Sequence, residues 1–135
     1  MDLIELEILD KRIILKKKVQ ASCPKIECDT VLIQQVLINL IMNSIRAMSK
    51  QKSKRTLSIE CTPDQDDRVT FTISDNGPGM QEDLFNQLML CLPIYKPHGL
   101  GLGLIICKYI IDHHAGSIRY IPVDHGTSLQ FSLPA

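Results

Sequence analysis

Net charge is the first thing this sequence lacks. Its 15 Lys and Arg residues are balanced by 15 Asp and Glu, so no overall basic field draws it toward nucleic acid or anionic lipid. The densest cationic run, Lys16-Lys17-Lys18, reads as a solvated strand end or edge. A CxxC pair is also absent. Five cysteines, at 23, 28, 61, 91 and 107, form an odd set without metal-ligand spacing. That argues against a zinc site or disulfide framework and for a reducing compartment. Cys61 and Cys107 stand among apolar residues and are expected to act as small core hydrophobes. No signal peptide is evident. The most apolar stretch, Val31 to Met48, is interrupted by Gln34, Gln35, Asn39, Asn43 and Arg46, which excludes it as a membrane span. The expectation is one soluble domain over residues 1–135 with a real core. Domain-like sequence directly after Met1 suggests a piece excised from a longer protein.

Strands and helices alternate along the chain. Leu3 to Asp10 is expected to be a short helix and Arg12 to Gln20 a β-branched strand, broken by Ser22-Cys23-Pro24. Asp29 suits the N-cap of a long helix running to about Ser49. Gln51 to Arg55 is a polar connector. Thr56 to Thr62 and the run Val69 to Ser74, ending at Asp75, form a hairpin around the turn Pro63 to Asp67. Gln81 to about Leu88 reads as helix and Cys91 to Gly99 as loop. Gly101 to His114 is a second long helix, with Gly116 as its stop. Ser117 to Val123 and Thr127 to Leu133 are strands around an Asp124-His125-Gly126 turn. The fold class is α/β: helices layered on one mixed, largely antiparallel sheet.

Four features carry chemistry. Val69, Phe71 and Ile73 share one side of their strand and Asp75 falls in phase with them, just before Asn76-Gly77-Pro78-Gly79-Met80. A carboxylate on a core-facing row demands a donor, and in a loop so bare of side chains a ligand can supply it. On the long helix, Gln35, Asn39, Asn43 and Arg46 form a thin polar stripe between apolar flanks. The stripe is either the wall of a polar pocket, with amide oxygens for Mg²⁺ and a guanidinium for phosphate, or a solvent line on a half-buried helix. Gly99-Leu100-Gly101-Leu102-Gly103-Leu104 opens a helix, where bare backbone suits either phosphate or close packing. Its spacing is not that of a dinucleotide fingerprint, and no Gly-Lys-Ser/Thr of a P-loop exists. Lastly, Thr127 is in phase with Leu129, Phe131 and Leu133. Its hydroxyl either binds its own backbone or, with Asp75, suits the amine and ring nitrogen of a purine.

The order of these features resembles the GHKL ATPase superfamily, and within it the catalytic and ATP-binding domain of a bacterial sensor histidine kinase. Gln35 to Asn43 is similar to the N box, Asp75 to Met80 to the G1 box, and Gly99 to Leu104 to the G2 box. Phe85 is similar to the F-box phenylalanine. The resemblance implies a Bergerat two-layer sandwich with a five-stranded sheet and helices on one face. It implies ATP and Mg²⁺ as cofactors, with Asn43 as metal ligand, and Asn39, Arg46 and Lys96 acting catalytically beside Asn43 at the phosphates. Asp75, with Gly77, Gly79 and Thr127, would hold adenine; Gly99, Leu100, Gly101, Leu102, Gly103 and Leu104 would shape the phosphate-side loop. The implied activity is phosphoryl transfer to a histidine. The implied partners are a histidine-acceptor dimerisation domain of the same full-length protein and a response regulator. A cytoplasmic location, no nucleic acid, no direct membrane contact and a monomeric isolated domain complete the expectation.

None of His98, His113, His114 and His125 lies in an acceptor motif, and the helix-end pair His113-His114 suits capping. The chain departs from the family at Leu100, where Thr or Ser is usual, and over Asn86 to Leu92. These departures bear on lid closure and turnover more than on adenine recognition. The alternatives are an anti-sigma-type serine kinase and a nucleotide-gated interaction module.

Overall fold

The computed structural model describes residues 8–90 and 100–135. Five strands, β1 (Ile13–Val19), β2 (Arg55–Asp64), β3 (Arg68–Asp75), β4 (Ser117–Ile121) and β5 (Thr127–Pro134), form one sheet in the order β1-β2-β3-β5-β4. β1 runs parallel to β2; every other pairing is antiparallel. Among the described residues, the helices α1 (Thr30–Ala47), α2 (Glu82–Met89) and α3 (Leu100–His113) cover one face. This is the expected two-layer α/β architecture. Of the expected helix at Leu3 to Asp10, residues 8–10 are helical; the rest of it, and the loop from Cys91 to Gly99, lie outside the described residues.

Alternation explains which face is covered. Val69, Phe71, Ile73 and Asp75 of β3 stand opposite Leu133, Phe131, Leu129 and Thr127 of β5, and this row faces the helices. Phe71 and Phe131 stack with ring centroids 4.8 Å apart. The helices contribute Val36, Leu40 and Ile45 from α1 and Leu104, Cys107 and Ile111 from α3 to the same core. Each such side chain contributes about 1.5–3 kcal/mol on burial. α1 begins where Asp29 Oδ1 accepts from Leu32 N at 3.2 Å, the expected N-cap. At the sheet edge, Lys16, Lys17 and Lys18 of β1 are exposed, as expected of a solvated edge.

Three expectations about boundaries shift. β2 continues through Pro63 to Asp64, so the hairpin turn contracts to residues 65–67, with Asp66 and Asp67 at φ of 61° and 54°. β1 ends at Val19, opposite Cys61, so beyond that point β2 has no partner on that side and proline's missing N–H costs no ladder bond. β4 stops at Ile121, before Pro122. At the end of α3 the left-handed residue is Ala115, φ 56°, not Gly116. Gly116 N donates to Ile111 O at 2.9 Å, closing a Schellman turn. Glycine is needed at 116 for space instead: a Cβ there would lie 2.2 Å from Ser132 O.

α1 and α3 lie side by side in opposite directions. Cys107 Sγ donates to Val36 O at 3.8 Å, and Asp29 N donates to His114 Nε2 at 3.0 Å. Because Nε2 accepts, the ring proton is on Nδ1, which donates to Ile110 O at 2.8 Å. His114 thus caps the end of α3 and the start of α1 together, as a helix-end histidine was expected to do.

Candidate functional site

A cavity lies between α1, the ends of β3 and β5, and the segment leading into α2. It has a volume of about 440 Å³ and is lined by Asn43, Ser44, Asp75, Gly79 and Thr127 together with apolar residues such as Leu40, Ile73 and Leu129. Sequence alternation positions two of the polar groups. Asp75 and Thr127 are register partners at the ends of β3 and β5, on the row facing the helices, and both are buried. Helical periodicity positions the others, since Asn43, Ser44 and Ala47 bring one side of α1 to the same cavity.

Asp75 supplies the carboxylate of this wall. Its Oδ1 accepts from Gly77 N at 2.9 Å. Burial pushes its carboxyl above the usual value, while the Gly77 amide, the Ser44 hydroxyl, the Thr127 amide and the charge of His125 pull the other way. The loop after Asp75 is held from outside the cavity. Asn76 Oδ1 accepts from Thr56 N at 2.9 Å and Gln51 Nε2 at 3.2 Å, and its Nδ2 donates to Lys54 O at 2.7 Å. Gly79 adopts φ 94°, a conformation that favours glycine. Gly126 packs its backbone on the strand end: at φ 86°, a Cβ there would lie 1.9 Å from Asp75 O.

The asparagine stripe divides. Asn43 lines the cavity, whereas Asn39 and Arg46 do not, and Arg46 is exposed. Gln35 Nε2 donates to Asn39 Oδ1 at 2.8 Å, fixing that amide's orientation. Among the described residues, the Nδ2 atoms of both Asn39 and Asn43 are buried without a hydrogen-bond partner, an unusual state for buried donors. The start of α3 faces this stripe, since a Cβ at Gly103 would lie 3.9 Å from Asn43 Oδ1. Leu100, Gly101 and Leu102 belong to the first turn of α3. Leu104 is fully buried in the core, which leaves only its backbone for a ligand. Lys96 and Gly99 lie outside the described residues.

Two contributors were not anticipated. Ser44 places a hydroxyl toward Asp75 from within an otherwise apolar helix face; its signal was a lone serine among Leu40, Ile41, Ile45 and Met48. Tyr120 Oη donates to Met80 O at 3.0 Å, tying β4 to the cavity rim. Among the described residues, no helix is long and apolar enough to cross a membrane.

Comparison with known proteins agrees with this arrangement. Residues 28–135 match the family described as histidine kinase-, DNA gyrase B-, and HSP90-like ATPase. The sensor protein FixL of Bradyrhizobium diazoefficiens is 38% identical over 108 residues, covering 79% of this chain and 21% of FixL. The chain thus spans about a fifth of that relative's length. The catalytic domain of the histidine kinase ThkA superposes with a TM-score of 0.83 at 30% identity, over 98% of this chain and 85% of that domain. ThkA in complex with the response regulator protein TrrA gives a TM-score of 0.78 at 28% identity, over 98% of this chain and 37% of that one. The chain belongs to the histidine kinase-, DNA gyrase B- and HSP90-like ATPase family, as an ATPase domain of the histidine kinase type.

Proposed function

We propose that this chain is the kinase module of a two-component sensor, which binds ATP with Mg²⁺ and delivers the γ-phosphoryl group to a histidine on a separate acceptor domain. The observation that carries this reading is one cavity with a buried carboxylate at Asp75 and, at Asn43, a buried amide that finds no partner among the described residues. A purine fits the first end. Asp75 accepts from the adenine amino group, Thr127 supports that contact, Gly77 and Gly79 let the base approach the backbone, and Leu40, Ile73 and Leu129 face the ring.

The other end suits a charged triphosphate. The buried Nδ2 donors of Asn39 and Asn43, without a partner among the described residues, are satisfied by phosphate oxygens. The residues also fit a hard cation: Asn43 would hold Mg²⁺ through its carboxamide oxygen, and the bound ion supplies neutralisation of phosphate charge. Exposed Arg46 and, beyond the described residues, Lys96 add positive charge. The amides at the start of α3, from Leu100 through Leu104, orient the phosphate chain, with Gly99, beyond the described residues, assigned to the same loop. The acceptor imidazole attacks the γ-phosphorus, the bond to the β–γ bridging oxygen breaks, and ADP leaves. This chain's part is to position and to shield the reaction from water.

The acceptor is assigned to a dimerisation domain of the same full-length protein, with a response regulator downstream. The complex of ThkA with TrrA supports that kind of partner. On this reading residues 1–135 form one cytosolic domain, monomeric when isolated. The test supplies a separate acceptor domain with Mg²⁺ and γ-labelled ATP. Acid-labile, alkali-stable label on the acceptor is the expected result. Acid-stable label on serine would indicate the serine kinase instead, and binding without transfer the interaction module.

A further inference from the structure

The far end of the sheet holds a pair of thiols that the ATP site does not use. In the parallel ladder, Cys61 of β2 stands opposite Val19 of β1. The next residue, Gln20, donates its N–H to Cys61 O at 3.0 Å, and Cys23 N then donates to Gln20 O at 3.1 Å. This tight turn folds the chain back over β2. It leaves Cys23 Sγ 3.6 Å from Cys61 Sγ and 3.4 Å from Cys61 O. A disulfide needs about 2.05 Å between sulfurs, so the two must close by about 1.5 Å.

We propose that Cys23 and Cys61 form an oxidisable dithiol, converted by a hydroperoxide into a disulfide that braces the entry to α1 against the sheet. Cys23 is half-buried and Cys61 buried, so oxidant meets Cys23 first. Burial, with the hydrogen bond and charge of Cys23 adding to it, pushes the Cys61 thiol up to about 11, which also makes it the poorer nucleophile toward peroxide. The Cys23 sulfur attacks the peroxide, the O–O bond breaks, and the alcohol or water leaves, giving a sulfenic acid. The Cys61 sulfur then displaces hydroxide from that sulfur. The S–S bond forms, the S–O bond breaks, and the hydroxide takes the Cys61 proton and leaves as water. Two thiols lose two electrons and the peroxide gains them.

The bond would close a span of 38 positions that contains all of α1. It lies away from the cavity, because Cys61 pairs with Phe71 whereas Leu57 pairs with Asp75. Four strand positions separate the two, roughly 13 Å.

The test treats the reduced chain with hydrogen peroxide, alkylates the remaining thiols and digests with trypsin without reductant. The expected product is the peptide 19–25 joined to the peptide 56–68, each holding one cysteine, about 2 Da below the sum of the two thiol forms. The oxidised chain should melt about 10 °C higher than the reduced one. Cys23 recovered as sulfinic acid or linked to another cysteine would overturn the proposal. So would the same mixture of pairings in folded chain and in urea, or an unchanged melting midpoint in linked protein.

Discussion

The two faces of the sheet treat polar residues in opposite ways. On the outer face, Ser74 and Ser128 meet at 2.8 Å, Gln130 Nε2 donates to Thr72 Oγ1 at 3.1 Å, and Arg119 Nε and Nη2 donate to Gln130 Oε1 at 2.8 and 2.6 Å. Ser132 likewise meets Ser117 at 3.0 Å and Arg68 Nη2 at 3.2 Å. These groups satisfy one another. On the helix side, Asp75 stands at the end of an apolar row, and the amide nitrogens of Asn39 and Asn43 are buried and find no partner among the described residues. A polar network that closes on itself contributes to stability; on the proposed function, the polar groups of the helix side are kept for a ligand.

Substitutions can break that contrast, and the largest effect belongs to Gly126. Gly126→Ala forces a Cβ against Asp75 O at a positive φ. It should lower unfolding free energy by about 3 kcal/mol or more, read as a shift in the urea midpoint, and displace the carboxylate as well. Asp75→Asn separates function from stability. Losing a hydrogen bond to a charged acceptor should weaken ATP binding about 10- to 100-fold, measured by calorimetry, while the thermal midpoint at neutral pH holds or rises. The sign follows from the raised pKa. The folded state holds this proton more tightly than the unfolded chain, whose carboxyl titrates near 3.8. Its contribution is therefore present below 3.8 and is lost as pH rises through the window up to the folded value. ATP affinity should run the opposite way, weakening as pH falls through that window, because the base needs the ionised acceptor.

Ser74→Ala probes the closed network. It leaves Ser128 without its 2.8 Å partner and should cost about 0.5–1.5 kcal/mol with ATP affinity unchanged; a large loss of affinity would erase the distinction between the faces. The smallest effect is a gain. Ala115→Gly relieves a left-handed alanine and should stabilise by about 0.5–1 kcal/mol in the same urea titration.

Much of this was legible in the sequence because alternation is a local signal. The phase of Val69, Phe71, Ile73 and Asp75, the phase of Thr127 with Leu129, and the Asp29 cap each follow from neighbours a few positions away. What was illegible depended on distant chain. Pro63 stays in β2 because β1 has already ended beside it. The tightest limit on Gly116 is Ser132 O of β5, far off in the sequence. The insertion of β5 between β3 and β4 is what brings Thr127 against Asp75, and no periodicity encodes it. The angular stripe on α1 grouped Asn39, Asn43 and Arg46 by helical phase alone. Which of them faces the cavity depended on where the sheet lies, and only Asn43 does.

The clamp on Asn76 has a thermodynamic consequence. Its side chain makes three hydrogen bonds to the connector and the start of β2, so the turn that carries Gly77 and Gly79 is already immobilised. A ligand entering beside it has little backbone entropy left to remove. That wall should therefore act as a die and not a mitten, favouring bases that match its shape over those that would need it to adjust.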